Sequence, residues 1–600
     1  MSSNNKKNQT AANGKKYTAR RVKPKSSQYN MRRKNSSQLQ KNAKKSEPKP
    51  VMGIMFLGGL NEIGKNMTLF ECCNDMFILD CGMAFPDGDL LGVDLVIPDF
   101  AYVEENAARI KGIVITHGHE DHIGSLPFLL QKVKLPVYGT PLTIGLIENK
   151  LKEFDLNNEV DLNVINAGDS VKLGCMKVEF IHVNHSIPDS VGIAIHSPAG
   201  TVVHTGDFKI DCTPVDGGMI DLARFAELGK EGVLALLADS TNAERPGFTP
   251  TEQTVRASFE RLFARAQKKR IIIATFASNI SRIQQIIYCA QQTGRKVAFS
   301  GRSMINYVTV AKELGYIDFN DEMVIDIDLI KRYPPEKLVL VTTGTQGEPM
   351  SALSRMAASD HKKVEVGFGD FIIISANPIP GNEKSVSNVV NELLKKGCEV
   401  VHESMYEVHV SGHACREELK LIHGLVKPKF FIPVHGEQKH LRKHAELALD
   451  MGMKHQNIFI GDVGSAVELN DSYLKQLPSV TAGKVLVDGL GVGDVGSIVL
   501  RDRKHLGQDG LLIVVATLDT RNGTVLSGPD IVSRGFVYVR ESEELFEEVR
   551  ADVTEILYDC AADDIREWNL IKNRVRDSVS KLIYERTHRS PMILPIIMDV

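Results

Sequence analysis

The 600-residue chain has one tryptophan, nine cysteines with no C-x-x-C pair, and no apolar run near the roughly 18 residues a membrane helix needs. Cys72 and Cys73 are adjacent and the others are scattered. Neither a disulfide framework nor a thiolate zinc motif can be read from them, and reduced thiols in a cytoplasm are the expected state. No apolar h-region follows the basic N-terminus, so a soluble protein that is not exported is expected. Acid is scarce at one end. Residues 1–50 hold 15 Lys/Arg against the single Glu47, a net +14, which leaves −17 for the rest of a chain whose total is only −3. The same fifty residues are rich in Asn, Ser and Gln and almost free of large aliphatics. Burial cannot offset their ordering entropy, so they read as a disordered basic arm. Contact with phosphate backbones through counterion release and a merely solvated tail both remain open for it.

From Val51 the texture changes. Gly53–Leu60, Met76–Asp80, Gly112–Thr116, Val202–Asp207 and Leu234–Asp239 are short apolar runs ending in Gly, Asp, His or similar residues, which predicts strands with functional loops at their carboxyl ends. From Thr251 helical and strand patterns alternate: helix 251–268, strand 270–275, helix 281–293, strand 297–300, then strands 338–342 and 371–375. That alternation predicts a parallel α/β unit. The first texture returns near Val400 and peaks in Lys429–Gly436, so the α/β unit is expected as an insertion into the first domain. The tail offers strands 510–517 and 535–539, helices 542–561 and 565–587, and a last apolar run, 592–598. The expected division is therefore a basic arm (1–50), a first domain in two parts (51–250 and 411–490), the insertion (251–410), a linker (491–506) and a small α+β assembly domain (507–600).

The chemistry is concentrated in His117-Gly118-His119-Glu120-Asp121-His122. A single H-x-H is weak evidence, but three imidazoles and a carboxylate on one tight turn can hardly all be satisfied without a metal. His117 and His119 can grip one ion, while Asp121 and His122 point toward a second. His185, Asp207 and His435 each follow a strand-like run, where open α/β sheets place their sites. A carboxylate between two cations offsets their repulsion, which makes Asp207 the natural bridge. His182 is expected to pack on the other side of its strand, and His204 to support the site without ligating. His196, His361, His402, His423, His440 and His444 have no motif around them and are read as surface or structural.

H-x-H-x-D-H followed by separate His, Asp and His resembles the metallo-β-lactamase fold. The α/β insertion, with Asp239 in Asp239-Ser240-Thr241 and His413 in Ser411-Gly412-His413, looks like its β-CASP nucleic-acid-processing branch. Gly59–Asn66, Asp80–Asp87, Asn184–Ser190, Thr343–Pro349, Asn377–Glu383 and Ser590–Pro595 resemble bacterial ribonuclease J, and the likeness runs from Val51 to Val600. It implies an αββα metallo-β-lactamase sandwich with an inserted parallel β-CASP domain and a small α+β C-terminal domain. It also implies two divalent ions per subunit, Zn2+ in the first place and Mn2+ as the alternative. His117, His119 and His185 would bind one ion, Asp121, His122 and His435 the other, and Asp207 both. Every ligand position is filled, so an active enzyme is expected.

Two metals about 3.5–4 Å apart suit in-line hydrolysis of a phosphodiester, giving a 5′-phosphate and a free 3′-hydroxyl. The leaving oxygen needs a proton or charge stabilisation, for which His413 is the candidate, with Asp239 orienting its ring. A local cap on the following turn is the plainer role for Asp239. By resemblance, His409, Val410, Ser411, Gly412 and His413 form a pocket for a terminal 5′-monophosphate. The expected activity is then 5′→3′ exonuclease and endonuclease action on single-stranded RNA, in RNA maturation and mRNA decay. The loops 344–348 and 377–382 are candidates for lining the channel. A DNA-directed β-CASP nuclease, a small-molecule hydrolase and an RNA-binding scaffold subunit of a decay complex are the competing readings. Partners expected from the family are single-stranded RNA, a second copy of the chain in a homodimer or homotetramer, and a helicase or ribosome.

Overall fold

The computed structural model describes residues 49–599 apart from 216, 349, 380–381, 404, 520–523 and 538–541. The basic arm read at 1–50 therefore lies, but for its last two residues, outside the described residues.

Two mixed sheets face each other. The larger has eight strands in the order Leu474–Leu477, Ala466–Leu469, Met52–Gly58, Met67–Cys72, Asp75–Leu79, Ile110–Val114, Val137–Gly139, Leu162–Val164. The smaller has six: Phe430–Val434, Val233–Asp239, Gly200–His204, Val191–Ser197, Met176–His182, Ser170–Leu173. Successive strand residues point to opposite faces, and the sequence uses this alternation fully. Met52, Ile54 and Phe56 meet Ile193, Ile195, Ala235 and Leu237 between the sheets. Met55 and Leu57 face outward onto a core shared with helices Leu126–Lys132 and Pro141–Lys152. On the other outer face Ala194, Leu236 and Ala238 pack with helices Leu222–Glu231, Arg416–Val426 and Gln438–Asp450. The result is the helix–sheet–sheet–helix sandwich expected from the sequence.

The insertion is a five-stranded, all-parallel sheet in the order Lys296–Ser300, Leu338–Thr342, Arg270–Ala274, Asp370–Ile374, Glu399–Val401. Both its faces are covered, as parallel sheets require: Ile271 and Ile273 on one side, Ile272 and Ala274 on the other. The chain then re-enters the sandwich, where Phe430–Val434 adds a parallel edge strand beside Val233–Asp239.

One expectation is corrected. Residues 491–506 are not a plain linker, because Gly491–Val492 pairs with Lys484–Asp488 and helix Ser497–Asp509 follows. In the tail the second described strand is Thr524–Arg534, and the strand expected at 535–539 falls partly outside the described residues. Gly535 turns the chain at φ +68° just beyond it. Helices Glu543–Ala562 and Trp568–Thr587 cover the three-stranded sheet Thr524–Arg534, Leu511–Asp519, Met592–Asp599. Among the described residues no helix is long and apolar enough to cross a membrane.

Candidate metal centre

The loop His117–His122 leaves the end of strand Ile110–Val114, and its backbone is tied down from a neighbouring turn. Cys81 N–H donates to the His122 carbonyl (2.8 Å), Met83 N–H to that of Glu120 (3.1 Å) and Asn66 N–H to that of Asp121 (3.1 Å). The approach is so close that a Cβ on Gly82 would lie 1.5 Å from the Asp121 oxygen. From the inserted domain, the buried Tyr307 hydroxyl donates to the Gly118 carbonyl at 3.1 Å. His435 ends strand Phe430–Val434 in the left-handed region (φ +54°), as does Asp80 (φ +60°) after Asp75–Leu79. Such conformations cost on the order of 1–3 kcal/mol each and persist where surrounding contacts enforce them.

All seven expected ligands converge. His119 Nδ1 lies 3.0 Å from His117 Nε2 and 3.1 Å from His185 Nε2. His122 Nε2 is 3.5 Å from Asp121 Oδ2, which is 3.3 Å from His435 Nε2. Asp207 Oδ2 sits between the two trios, 3.3 Å from His122 Nε2, 3.7 Å from His435 Nε2, 3.9 Å from His117 Nε2 and 4.0 Å from His185 Nε2.

Whether these donors fit cations follows from where their protons are. His185 Nδ1 donates to the Gly412 carbonyl (2.8 Å) and His122 Nδ1 to Asp80 Oδ2 (2.8 Å). The Thr116 hydroxyl donates to Asp80 and so accepts from His117 Nδ1 (3.0 Å). In the same way Thr241 donates to Asp239 Oδ1 (2.7 Å) and accepts from His435 Nδ1 (2.8 Å). Each of these four rings thus commits Nδ1 outward and turns Nε2 inward, toward other ring nitrogens or carboxylates, with the Asn66 amide also 3.1 Å from His122 Nε2. Acceptors facing acceptors at about 3–4 Å need positive charge among them. The spacings match the roughly 3.3 Å edges of a tetrahedron with 2.0–2.1 Å metal–nitrogen bonds.

Electrostatics divide the cluster in two. Burial, reinforced by neighbouring histidines, drives His117 and His185 well below the ordinary imidazole value, and burial lowers His119 to about 4. These three stay neutral, as ligands must. Burial also pushes His122 and His435 down, but Asp207 and Asp121 outweigh it and raise both. Burial alone would raise Asp207, yet His435 and His122 hold it low, so it stays ionised.

His413 Nδ1 lies 2.7 Å from Asp239 Oδ2 and 4.0 Å from Asp207 Oδ2, with its ring stacked over His435 at 5.5 Å. Asp239 Oδ1 meanwhile accepts from Thr241 N–H at 2.9 Å. Both readings of Asp239, ring orientation and local cap, are thus present on different oxygens. Asp207, Asp239, His413 and His435 also lie close enough to share an ion. The run 409–413 spans two environments. His409 is turned into the inserted domain, its Nδ1 2.8 Å from the fully buried Arg282 guanidinium, and burial with that charge pushes it far down. Val410 is buried, Ser411 Oγ accepts from Asn242 Nδ2 at 2.8 Å, and Gly412 presents its carbonyl to His185. The loops 344–348 and 377–382 are joined by Gln346, whose amide donates to the Asn377 carbonyl (3.0 Å) and accepts from Ile379 N–H (2.6 Å). His182 bonds the Gly218 carbonyl and His204 accepts from Gly206 N–H, pinning the turn before Asp207 without reaching the cluster.

Sequence reasoning gave no role to Asp80, Thr116, Thr241, Asn66, Arg282 or Tyr307. Asp80 and Asn66 stand in two of the runs that resemble the family, which was the only available signal. Asp80 accepts from Thr116 N–H, Thr116 Oγ1 and His122 Nδ1 together. An amide cannot accept from all three with one oxygen, so Asp80→Asn is expected to weaken metal binding roughly 10–100-fold, read by competition with a chelator.

Comparison with known proteins adds four family matches. Residues 61–237 match the metallo-beta-lactamase superfamily and 268–393 the ribonuclease J beta-CASP domain. Residues 398–460 match the Zn-dependent metallo-hydrolase RNA specificity domain and 498–600 the ribonuclease J C-terminal domain. The chain is 45% identical to ribonuclease J2 of Bacillus subtilis over 547 residues, 91% of this chain and 98% of that protein. It is 42% identical to ribonuclease J 2 of Staphylococcus saprophyticus over the same shares. A crystal structure of a protein of unknown function from Enterococcus faecalis superposes with a TM-score of 0.50 at 16% identity, covering 70% of this chain and 100% of that one. That last likeness bears on the fold alone.

Proposed function

Since the chain belongs to the ribonuclease J family and is a metallo-hydrolase of the nuclease class, we propose that it degrades single-stranded RNA 5′→3′ from 5′-monophosphate ends. It cuts internally when no end is held, and it serves RNA maturation and mRNA decay in the cytoplasm. The observation that carries this reading is the placement of Asp207 Oδ2 within 4.0 Å of imidazoles from both ligand trios, beneath His413.

In this reading His117, His119 and His185 would hold one divalent ion, Asp121, His122 and His435 would hold a second, and Asp207 would serve both, with Zn2+ preferred to Mn2+. Bound there, the two ions supply positive charge at the phosphorus and lower the pKa of an attacking water toward neutrality. His413 gives a proton to the leaving 3′-oxygen from Nε2, because Nδ1 is engaged by Asp239. Burial alone would lower His413, but the Asp239 carboxylate beside it raises it above the ordinary imidazole range, which suits a proton donor at neutral pH. The 409–413 run receives the terminal phosphate, with His409 held by the Arg282 guanidinium, which is itself paired with Glu252 at 2.7 Å. The tail domain pairs copies of the chain in a dimer or tetramer.

The test compares linear 5′-monophosphate, linear 5′-triphosphate and circular RNA on metal-reconstituted enzyme. Mononucleotide release should be fastest from the monophosphate, and the circle should yield only internal cuts. Equal exonucleolytic rates on both linear ends would remove the phosphate pocket. DNA degraded at least as fast as matched RNA would overturn the substrate.

A further inference from the structure

A second cluster of metal-ligating side chains lies at the other end of the sandwich. The turn Cys73-Asn74 joins strands Met67–Cys72 and Asp75–Leu79 of the larger sheet, and Gly174-Cys175 joins Ser170–Leu173 to Met176–His182 of the smaller one. The site described above begins at Asp80, at the far end of Asp75–Leu79, so the five-residue strand keeps the two clusters on the order of 15 Å apart. The two turns are locked together. Asp75 Oδ2 accepts from Cys175 N–H at 2.9 Å, and a Cβ on Gly174 would lie 2.2 Å from that same oxygen. Only glycine allows this approach, which carries Cys175 across the sheet gap to Cys72 and Cys73.

The three sulfurs then lie within 4.8 Å of one another. Cys72 Sγ and Cys73 Sγ are 3.7 Å apart, and Cys175 Sγ–H donates to the Cys72 carbonyl at 2.9 Å. Tetrahedral coordination with metal–sulfur bonds near 2.3 Å has S···S edges of about 3.8 Å. The donors are all sulfur, with no imidazole among them, which selects soft over hard cations. Cys72 is buried, Cys175 half-buried and Cys73 exposed, so an ion can enter from solvent and keep a fourth position open.

We propose that Cys72, Cys73 and Cys175 form a binding site for one thiophilic metal cation, separate from the catalytic centre, which staples the two sheets at their outer end. Burial holds Cys72 above the ordinary thiol range, and burial with the neighbouring Cys72 thiol pushes Cys175 up to about 12. Without a cation Cys72 and Cys175 are thiols rather than reactive thiolates. Binding therefore releases protons and weakens as pH falls. The site does not depend on the substrate or reaction proposed above.

The probe is Cd(II), titrated into reduced, full-length enzyme whose catalytic centre is already loaded. One equivalent should produce an ultraviolet sulfur-to-cadmium charge-transfer band and raise the melting temperature. The histidine–aspartate centre contains no sulfur donor and cannot give that band. Cys73→Ser, at an exposed position that does not threaten folding, and Cys175→Ser should each weaken Cd(II) binding by about 100-fold or more. That loss should exceed what changes beyond the ligands themselves cause. Single-turnover RNA cleavage should be unchanged in both. Absence of the band at one equivalent, or its full retention in Cys175→Ser, overturns the proposal. So does a Cys175 disulfide to Cys72 or Cys73 forming in air in a protein that takes up no Cd(II) when reduced, because the cluster is then a redox pair.

Discussion

Replacing His119 by alanine is expected to lower RNA cleavage by roughly 10³-fold or more while the protein still folds. His119 Nδ1 is the middle of the three-nitrogen face, within 3.1 Å of both His117 Nε2 and His185 Nε2. On the proposed assignment only two ligands and the shared Asp207 would remain for that ion. Water activation and charge stabilisation by a bound metal are together worth several kcal/mol, and about 4 kcal/mol already corresponds to 10³ in rate. The fold should survive because the side chain is not part of an apolar core. The His119 carbonyl, which accepts from His122 N–H at 2.9 Å and Ile123 N–H at 3.0 Å, is kept by alanine. Metal content by elemental analysis should fall together with single-turnover cleavage, and the melting curve should remain cooperative. Unchanged cleavage by a variant that has lost metal would refute the centre assigned to these residues.

How much of this was legible in the sequence differs from part to part. The cluster His117–His122 announced itself because ligation demands particular donor types at short spacing on one turn. His185, Asp207 and His435 were legible for a related reason: each ends a strand-like run, where a buried sheet delivers its functional side chains. The supporting partners were not. Asp80 meets Thr116 and His122 from 36 and 42 positions away, and Thr241 meets His435 across 194. At the sequence level a carboxylate or hydroxyl after a strand looks like any turn residue. Tyr307 was hidden further, because an inserted domain reaching back to the Gly118 carbonyl leaves no trace in local pattern. The helix Ser497–Asp509 buries no residue and so lacks the apolar stripe that reveals a helix. The strand Thr524–Arg534 contains Gly528-Pro529, which reads as a turn. Among the described residues it is an edge strand, where the missing N–H of proline need not cost a ladder bond.

His413→Ala is expected to slow the chemical step by about 10²–10⁴-fold, the usual contribution of a positioned proton donor. Asp239→Asn should fall within the same range, because it removes the charge 2.7 Å from His413 Nδ1 that keeps the ring protonated and aimed. The combination decides between two roles. If Asp239 acts through His413, the double variant should be no slower than His413→Ala alone, since residues of one functional unit are not additive. If either is instead a metal ligand, as the proximity of Asp207, Asp239, His413 and His435 permits, the single variants should lose bound metal as His119→Ala does. Retention of both ions, loss of cleavage and a non-additive pair together identify proton donation. RNA with a 3′-sulfur leaving group at the cut bond sharpens the distinction. A thiolate leaves without a proton, so His413→Ala should recover most of its deficit on that substrate, whereas a variant missing a metal should not.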